Sequence, residues 1–251
     1  MARSVLAGLC AILLSAPVAS RAQESRPLWR IHLETGPVWQ GRNEVQVPGD
    51  TGTRFGLNRL IGAGPFASVR LNALTAPDRR TGWRFIYAPF RIDGTGTLDG
   101  PTAFAGSTFA PGIPARGIYQ FNSYRVSYWY RFHRSQRMVW RAGLTLKIRD
   151  ALIALEQNGQ YASEYDLGLV PLIHLSGEYH FAPRWHLLVD FDGLAAPQGR
   201  AFDLGVHLGY DLSPRLTLTL GYRTLEGGAD NRTVYNFSWF NYLNTGLLYR
   251  F

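Results

Sequence analysis

Apolar and polar residues alternate along most of this chain, and two stretches show the alternation most clearly. From Phe202 to Leu212 every even-numbered residue is apolar or aromatic, whereas the odd-numbered residues are Asp, Gly or His. From Trp140 to Arg149 the even-numbered residues are again apolar, and the odd-numbered ones are Arg, Lys, Gly or Thr. Alternation with a period of two predicts β-strands that have one apolar and one polar face.

The same pattern predicts about ten strands, joined alternately by short turns and long loops. Most have roughly the 9–11 residues that a tilted transmembrane strand needs. Because strand boundaries are hard to place from sequence, eight or twelve strands fit the pattern as well. The strands lie near 28–39, 64–75, 83–92, 118–132, 138–149, 167–181, 185–193, 201–212, 216–225 and 237–251. Short turns are predicted at 76–82, 133–137, 182–184 and 213–215, and long loops at 40–62, 93–117, 150–166 and 227–236, with 193–200 as a shorter member of the second set.

Two aromatic residues flank a cationic one at the ends of several strands. The chain closes with Tyr249-Arg250-Phe251, and Tyr130-Arg131-Phe132 and Tyr179-His180-Phe181 repeat the triplet upstream. In each triplet the aromatics share one face of the strand and the cation lies on the other. An aromatic girdle outside and a polar interior are typical of outer-membrane β-barrels.

With Leu243 and Leu247 preceding the last triplet, and with short turns alternating with long loops, residues 23–251 resemble small bacterial outer-membrane β-barrel proteins. The resemblance implies an all-β fold, a closed antiparallel up-and-down transmembrane β-barrel in the cell outer membrane of a Gram-negative bacterium. It implies short periplasmic turns, long extracellular loops and both termini in the periplasm. It also implies that Leu247, Tyr249 and Phe251 form a signal for the barrel assembly machinery, and that the other partners are outer-membrane lipids and lipopolysaccharide.

The first 22 residues have the features of a secretory signal peptide. A positive charge at Arg3 precedes an apolar run over 5–14, and Ser20-Arg21-Ala22 has the small-x-small pattern of a cleavage site. We therefore predict a signal peptide at 1–22 and a barrel at 23–251. Cys10, the one cysteine of the sequence, lies in the predicted signal. The mature chain then has neither a disulfide nor a thiol nucleophile.

The charge of the chain is positive, at +8, and Lys147 is its one lysine. A basic chain can indicate a nucleic-acid partner, but these arginines alternate with apolar residues instead of clustering, so we expect none. A soluble barrel would show the same period, with its apolar face inward. The signal peptide and the aromatic strand ends favour the membrane, where an arginine facing lipid costs about 2–4 kcal/mol at mid-depth. The charged face therefore points into the lumen.

The predicted lumen carries acids and bases on opposite walls. We expect either a network of ion pairs that plugs a narrow barrel, since interiors of this size are just wide enough for side chains, or a narrow charge-selective channel. Both interpretations predict a structural or passive outer-membrane protein, porin-like or presenting loops, that is not an enzyme and has no cofactor. The lining residues are Arg30, Glu34, Arg70, Arg84, Arg125, Arg141, Lys147, Glu178, Asp190, Asp192, Asp203 and Arg223.

The alternative from another functional class is a lipid-acting acyl hydrolase that uses His174 and Ser176, with Asp190 as the third residue. Pairing across the short turn at 182–184 puts His174 beside Asp192 and Ser176 beside Asp190. In this register the side chains point inward, and a one-residue bulge would turn them toward lipid.

Two further features carry alternatives. His180, His186 and His207 all face inward and could bind zinc, although ion pairing with neighbouring acids explains them as well, and we predict no metal. The loop at 93–117 contains an unusually apolar run over 102–109. It either extends the flanking strands as a rim hairpin, which we favour, or folds into the mouth of the barrel as a lid.

Overall fold

A computed structural model describes residues 27–251, and its main feature is a closed antiparallel barrel. The predicted signal peptide at 1–22 lies outside the described residues. In chain order the elements are β1 (Trp29–Gln46), β2 (Phe55–Gly56), α1 (Leu57–Ile61), β3 (Phe66–Thr75), β4 (Thr81–Ala88), β5 (Arg91–Thr97), β6 (Thr102–Phe104), β7 (Ser107–Phe109), β8 (Pro114–Arg134), β9 (Met138–Gln157), β10 (Gln160–Ala182), β11 (Trp185–Ala196), β12 (Gly199–Asp211), β13 (Leu216–Asp230) and β14 (Tyr235–Arg250).

Ten strands form the wall, which confirms the predicted number. They are β1, β3, β4 continued by β5, and β8 to β14, each paired with its neighbour in the chain. β14 closes the ring by pairing with β1 from Arg30↔Arg250 to Gln46↔Tyr235. The short connections, such as those at 135–137 and 183–184, define the turn end of the barrel, and the opposite end is the loop end.

Two predicted loops are wrong. The shorter one, at 193–200, is reduced to residues 197–198 between β11 and β12. Residues 150–166 continue β9 and β10, which have 20 and 23 residues and meet at a tight turn. In this turn Asn158 and Gly159 have φ of 49° and 80°. Both are left-handed values, which suit the primed turns of β-hairpins, and an Asn-Gly pair between strands is the sequence signal that identifies such a turn.

The barrel is apolar outside and charged inside. Leu144, Leu169 and Leu220 are 72%, 67% and 53% exposed, whereas Arg84, Asp192 and Arg223 are at most 2% exposed. This distribution is the reverse of that in a soluble domain, where charged residues are almost never fully buried unless paired. The outer surface therefore matches a hydrocarbon environment. No helix within residues 27–251 is long and apolar enough to cross a membrane.

The main apolar core lies inside the barrel at its loop end. We call α1 with β2, together with the β6–β7 hairpin, the cap. Leu57 and Leu60 from the first part of the cap and Phe104 and Phe109 from the second are buried against inward-facing wall residues such as Phe240. β5 and β8 do extend as a rim hairpin, from Arg91↔Gln120 to Thr97↔Pro114, but the apolar run at 102–109 folds inward as the lid alternative describes.

Candidate functional site

The strongest polar cluster of the molecule crosses the lumen. Arg84 on β4 donates to Asp190 at 2.7 and 2.8 Å and to Asp192 at 3.0 and 3.1 Å. Arg125 on β8 donates to Asp192 at 2.7 Å and to Asp203 at 2.6 Å. These strands lie on opposite walls, so arginines from one side neutralise aspartates from the other. Buried charges are tolerated when they are paired in this way.

Arg223 on β13 forms the second centre of this cluster. Its guanidinium donates to Asp203 at 2.6 Å, to Glu34 at 3.2 Å and to Asp190 at 3.4 Å. His207 Nε2 lies 3.2 Å from the other oxygen of Glu34. Arg70 adds a contact to Asp203 at 3.1 Å. Glu34 is 1% exposed, so its charge is balanced almost entirely by these side chains.

A third group of contacts fills the turn end. Arg141 donates to Glu178 at 2.6 Å and to the backbone oxygen of Pro77 at 3.0 Å. Arg30 contacts the same glutamate, and the ring of Trp129 lies 5.3 Å from the Arg141 guanidinium. The three groups together include every predicted lumen residue except Lys147.

Lys147 differs from the other predicted lumen residues because it has no acidic partner. Its side chain is 3% exposed, and its ammonium nitrogen lies 4.2 Å from the centroid of the Phe121 ring. No carboxylate of residues 27–251 lies within 4.0 Å of it, although the neighbouring Arg125 and Arg149 both have one. It is therefore a buried basic side chain that lies against an aromatic ring and has no carboxylate at ion-pair distance.

Two hydroxyls that the sequence-based list omits belong to the cluster. Ser127 and Thr145 form a hydrogen bond of 2.6 Å, and Thr145 donates to Asp192 at 3.1 Å. Both residues sit at inward positions of β8 and β9, so the period-two alternation alone was a sufficient signal for them.

His174, Ser176 and Asp192 form a buried hydrogen-bonded chain. His174 Nε2 lies 3.2 Å from Ser176 Oγ, and its Nδ1 lies 2.9 Å from Asp192 Oδ1. The histidine contacts Asp192 and not the predicted third residue, Asp190, which is held by Arg84 and lies opposite Ser176 in the strand register. The side chains point into the lumen, as the predicted register requires.

The surroundings of this chain leave little room for a substrate. Arg84 Nη1 lies 3.2 Å from His174 Nδ1 and competes with Asp192 for that nitrogen. The cavity beside Ser176 has a volume of about 40 Å³, which holds a few waters and no acyl chain.

The three histidines that were considered as an alternative zinc site do not come together. His180 and His186 share their place with Asp211, and one ligand atom from each lies within 4.8 Å of the others. His207 instead contacts Glu34, as described above. Asp211 also faces Arg250 at 3.6 Å, so its carboxylate already has a cationic partner.

A closed antiparallel barrel, apolar outside and filled with charges inside, is the architecture of bacterial outer-membrane β-barrel proteins, and this chain has that architecture. No family model and no curated protein sequence matches it. Among solved structures, the outer membrane protease OmpT from Escherichia coli is 11% identical, with 89% of this chain and 96% of that chain covered and a TM-score of 0.48. Ail, the attachment invasion locus protein of Yersinia pestis, is 12% identical, with 89% and 99% covered and a TM-score of 0.41. Neisserial surface protein A is 12% identical, with 89% and 97% covered and a TM-score of 0.39.

Proposed function

We propose that this outer-membrane barrel has a passive role, as a closed anchor that holds a rigid extracellular cap, and that it is not an open pore. The observation that carries the proposal is that side chains fill the lumen from the turn end to the loop end. Ion pairs that centre on Arg141 occupy the turn end, and those that centre on Arg84 and Arg223 occupy the middle. The cap occupies the loop end, where Phe104 and Phe109 are 1% and 0% exposed.

Planar-bilayer recording tests this proposal. Residues 23–251 are refolded, and folding is checked by heat-modifiable migration on a gel. We expect no steady current from the folded protein. A steady current whose ion selectivity changes in a variant carrying Asp190→Ala and Asp192→Ala would show that the lumen conducts, and the passive closed role would then be abandoned for a channel.

The proposal places both termini and the turn end in the periplasm and the cap outside the cell. It is supported by the even number of wall strands and by the contrast between short turns and long strand extensions. Outer-membrane lipids and lipopolysaccharide are then the partners of the apolar belt. Trypsin added to intact cells tests the orientation, because cleavage in the exposed turn around Arg137 is expected only after the outer membrane is permeabilised.

The last strand is proposed to be the segment that the barrel assembly machinery binds, through the outward face of Leu247, Tyr249 and Phe251. These side chains are 47%, 36% and 59% exposed. We expect Phe251→Ala to reduce the amount of folded barrel in the membrane. Phe132→Ala is the matched control, because Phe132 is an equally exposed aromatic at 55%. Equal assembly of the two variants would refute a specific role for the last strand.

An acyl hydrolase is the second candidate, because the distances from His174 to Ser176 and to Asp192 match those of a catalytic triad. It requires that Ser176 become accessible from the lumen. A fluorophosphonate probe should then label the refolded barrel, and Ser176→Ala should abolish the labelling. Absence of labelling in the folded protein removes this candidate.

A further inference from the structure

The barrel wall is open on one side near the loop end. The ladder between β10 and β11 ends at the pair Ile173↔Gly193. Beyond it, β10 continues to Gln160 and pairs there with β9 alone. β11 ends at Ala196 and pairs there with β12. Among the described residues, the stretch 160–172 therefore has an edge without a partner strand.

A proline lies on this open edge. His180 N donates to the backbone oxygen of Arg137, the residue that precedes β9. Backbone groups alternate in direction along a strand, so the N–H and C=O groups of odd-numbered residues of β10 point toward β11. Pro171 is then the residue whose missing N–H faces the opening. Proline on an edge removes a hydrogen-bond donor that would favour strand pairing, so the opening is built into the sequence.

The opening lies at the outer boundary of the apolar belt. The outward row that crosses β8, β9 and β10 at Tyr124, Ile148 and Leu169 is apolar or aromatic. One row further toward the loop end, Asn122 donates to Asp150 at 2.8 Å, and such a polar pair marks the end of the hydrocarbon contact. The part of the opening nearer the turn end therefore faces the acyl chains of the adjacent leaflet, and the part nearer the loop end faces the head groups.

A cavity of about 480 Å³ lies behind the opening. Its inner end is lined by Lys147 and Phe121, and its outer end by Leu169, Pro171 and Phe202. The lining thus runs from a buried lysine in the lumen to side chains on the lipid-facing surface. The volume is within the range of small-molecule sites, about 300–1,000 Å³.

Most other charges around the cavity are neutralised. Glu164 forms no ion pair with the residues that the structure describes, but it lies further toward the loop end, opposite Ile153, whereas Lys147 lies opposite Val170. Lys147 is therefore the ionisable side chain at the inner end that lacks an ion-pair partner within residues 27–251. The ion pairs are Arg125 with Asp192 and Asp203, Arg149 with Asp166, and Arg200 with Glu226.

We propose that this cavity binds a fatty acid that enters laterally from the outer leaflet, with its carboxylate on Lys147 and its chain directed out past Leu169 and Phe202. A buried ammonium without a partner is costly, and a bound anion removes that cost. A single ammonium suits a monoanionic carboxylate, whereas a phosphate is bound best by arginine forks, and the arginines here are already paired. The cavity is also too small for a lipid with several chains.

The test uses the refolded barrel in phosphatidylcholine nanodiscs, so that no detergent competes, and a palmitate that carries a photoreactive diazirine on its chain. We expect saturable labelling of residues 165–172 or 194–202, displaced by unlabelled palmitate. Hexadecanol, which lacks the charge, should compete at least tenfold more weakly. A phosphate monoester with the same single chain should also compete more weakly than palmitate.

Lys147→Met removes the charge and keeps most of the side-chain volume, and it should weaken palmitate binding at least tenfold. Lys147→Arg should retain most of the binding. Arg116→Met is the matched control, because Arg116 is an exposed rim cation, 47% accessible in its side chain. The Arg116→Met variant should bind palmitate as strongly as the unaltered protein does.

Ala201→Trp tests the cavity without changing Lys147, because Ala201 lines the cavity and a larger side chain fills it. This variant, checked for folding by heat-modifiable migration, should lose binding. Unchanged binding in Lys147→Met or in Ala201→Trp, or equal competition by hexadecanol, would overturn the proposal. Stronger competition by the phosphate monoester would overturn the carboxylate assignment. The test is independent of the closed-lumen role, since a fatty acid can bind whether or not the lumen conducts.

Discussion

Arg84 donates through Nη2 to both carboxylate oxygens of Asp190, at 2.7 and 2.8 Å. β4 and β11, which carry these residues, are not neighbours in the barrel, so the contact joins two opposite walls. Arg84 is 2% exposed and also binds Asp192. Removing one partner of such a pair leaves an uncompensated buried charge, which is more costly than losing an exposed ion pair.

Arg84→Met should lower the free energy of unfolding by about 3–5 kcal/mol. Urea unfolding in lipid vesicles, followed by tryptophan fluorescence, measures the change. Arg116→Met is the control, because its ion pair with Asp93 is exposed and should contribute at most about 1 kcal/mol. A loss of less than 1 kcal/mol in Arg84→Met would contradict the role of the cluster in stability.

Combining Arg84→Met with Asp190→Asn should cost less than the sum of the two single changes. The second substitution removes the carboxylate that the first leaves unpaired, so the coupling should fall in the range of about 0.5–3 kcal/mol that contacting residues show. The same urea experiment on the two single variants and the double variant measures the coupling. Additivity would mean that Arg223 and solvent already satisfy Asp190.

Phe109→Ala should loosen the cap without unfolding the barrel. Phe109 is fully buried, and deletion of a buried Phe side chain costs about 3–5 kcal/mol, but the hairpin can open locally while the wall stays paired. Trypsin should then cleave faster after Arg54 and Arg59, and the heat-modifiable gel shift should persist. Tyr161→Ala, which truncates an exposed aromatic, should leave the cleavage rate unchanged. The same slow cleavage in both variants would contradict a packed cap.

Gly159→Ala should destabilise the β9–β10 hairpin by about 1 kcal/mol, because Gly159 has a left-handed φ of 80° that residues with a Cβ adopt at a cost. An added Cβ would meet no atom within 4 Å, so the backbone alone is tested. Gly100→Ala, equally free of neighbours but without a positive φ, should change stability little. Urea unfolding should show a larger loss of stability in Gly159→Ala than in Gly100→Ala. The reverse order would contradict the turn assignment.

The sequence by itself determined the wall of the barrel. Alternation of apolar and charged residues sorted the side chains of each strand into two faces, because a strand turns successive side chains to opposite faces. The signal peptide and the aromatic strand ends then favoured lipid for the apolar face and the lumen for the charged face. Short turns then set the register, and the structure pairs His174 with Asp192 and Ser176 with Asp190 as predicted. These features depend on contacts between strands that are neighbours in the chain.

The tertiary structure decided what depends on distant parts of the chain. Whether Arg84 meets Asp190 across the lumen depends on the tilt and stagger of the closed barrel, which no short segment specifies. The burial of Phe109 within the cap and the opening beside Pro171 depend on how far each strand extends beyond its neighbour. Those lengths were misjudged where polar outward residues, such as Asp150, continue a strand above the lipid boundary. Period-two alternation cannot show where lipid ends, because water and head groups accept the same polar face that a loop would present.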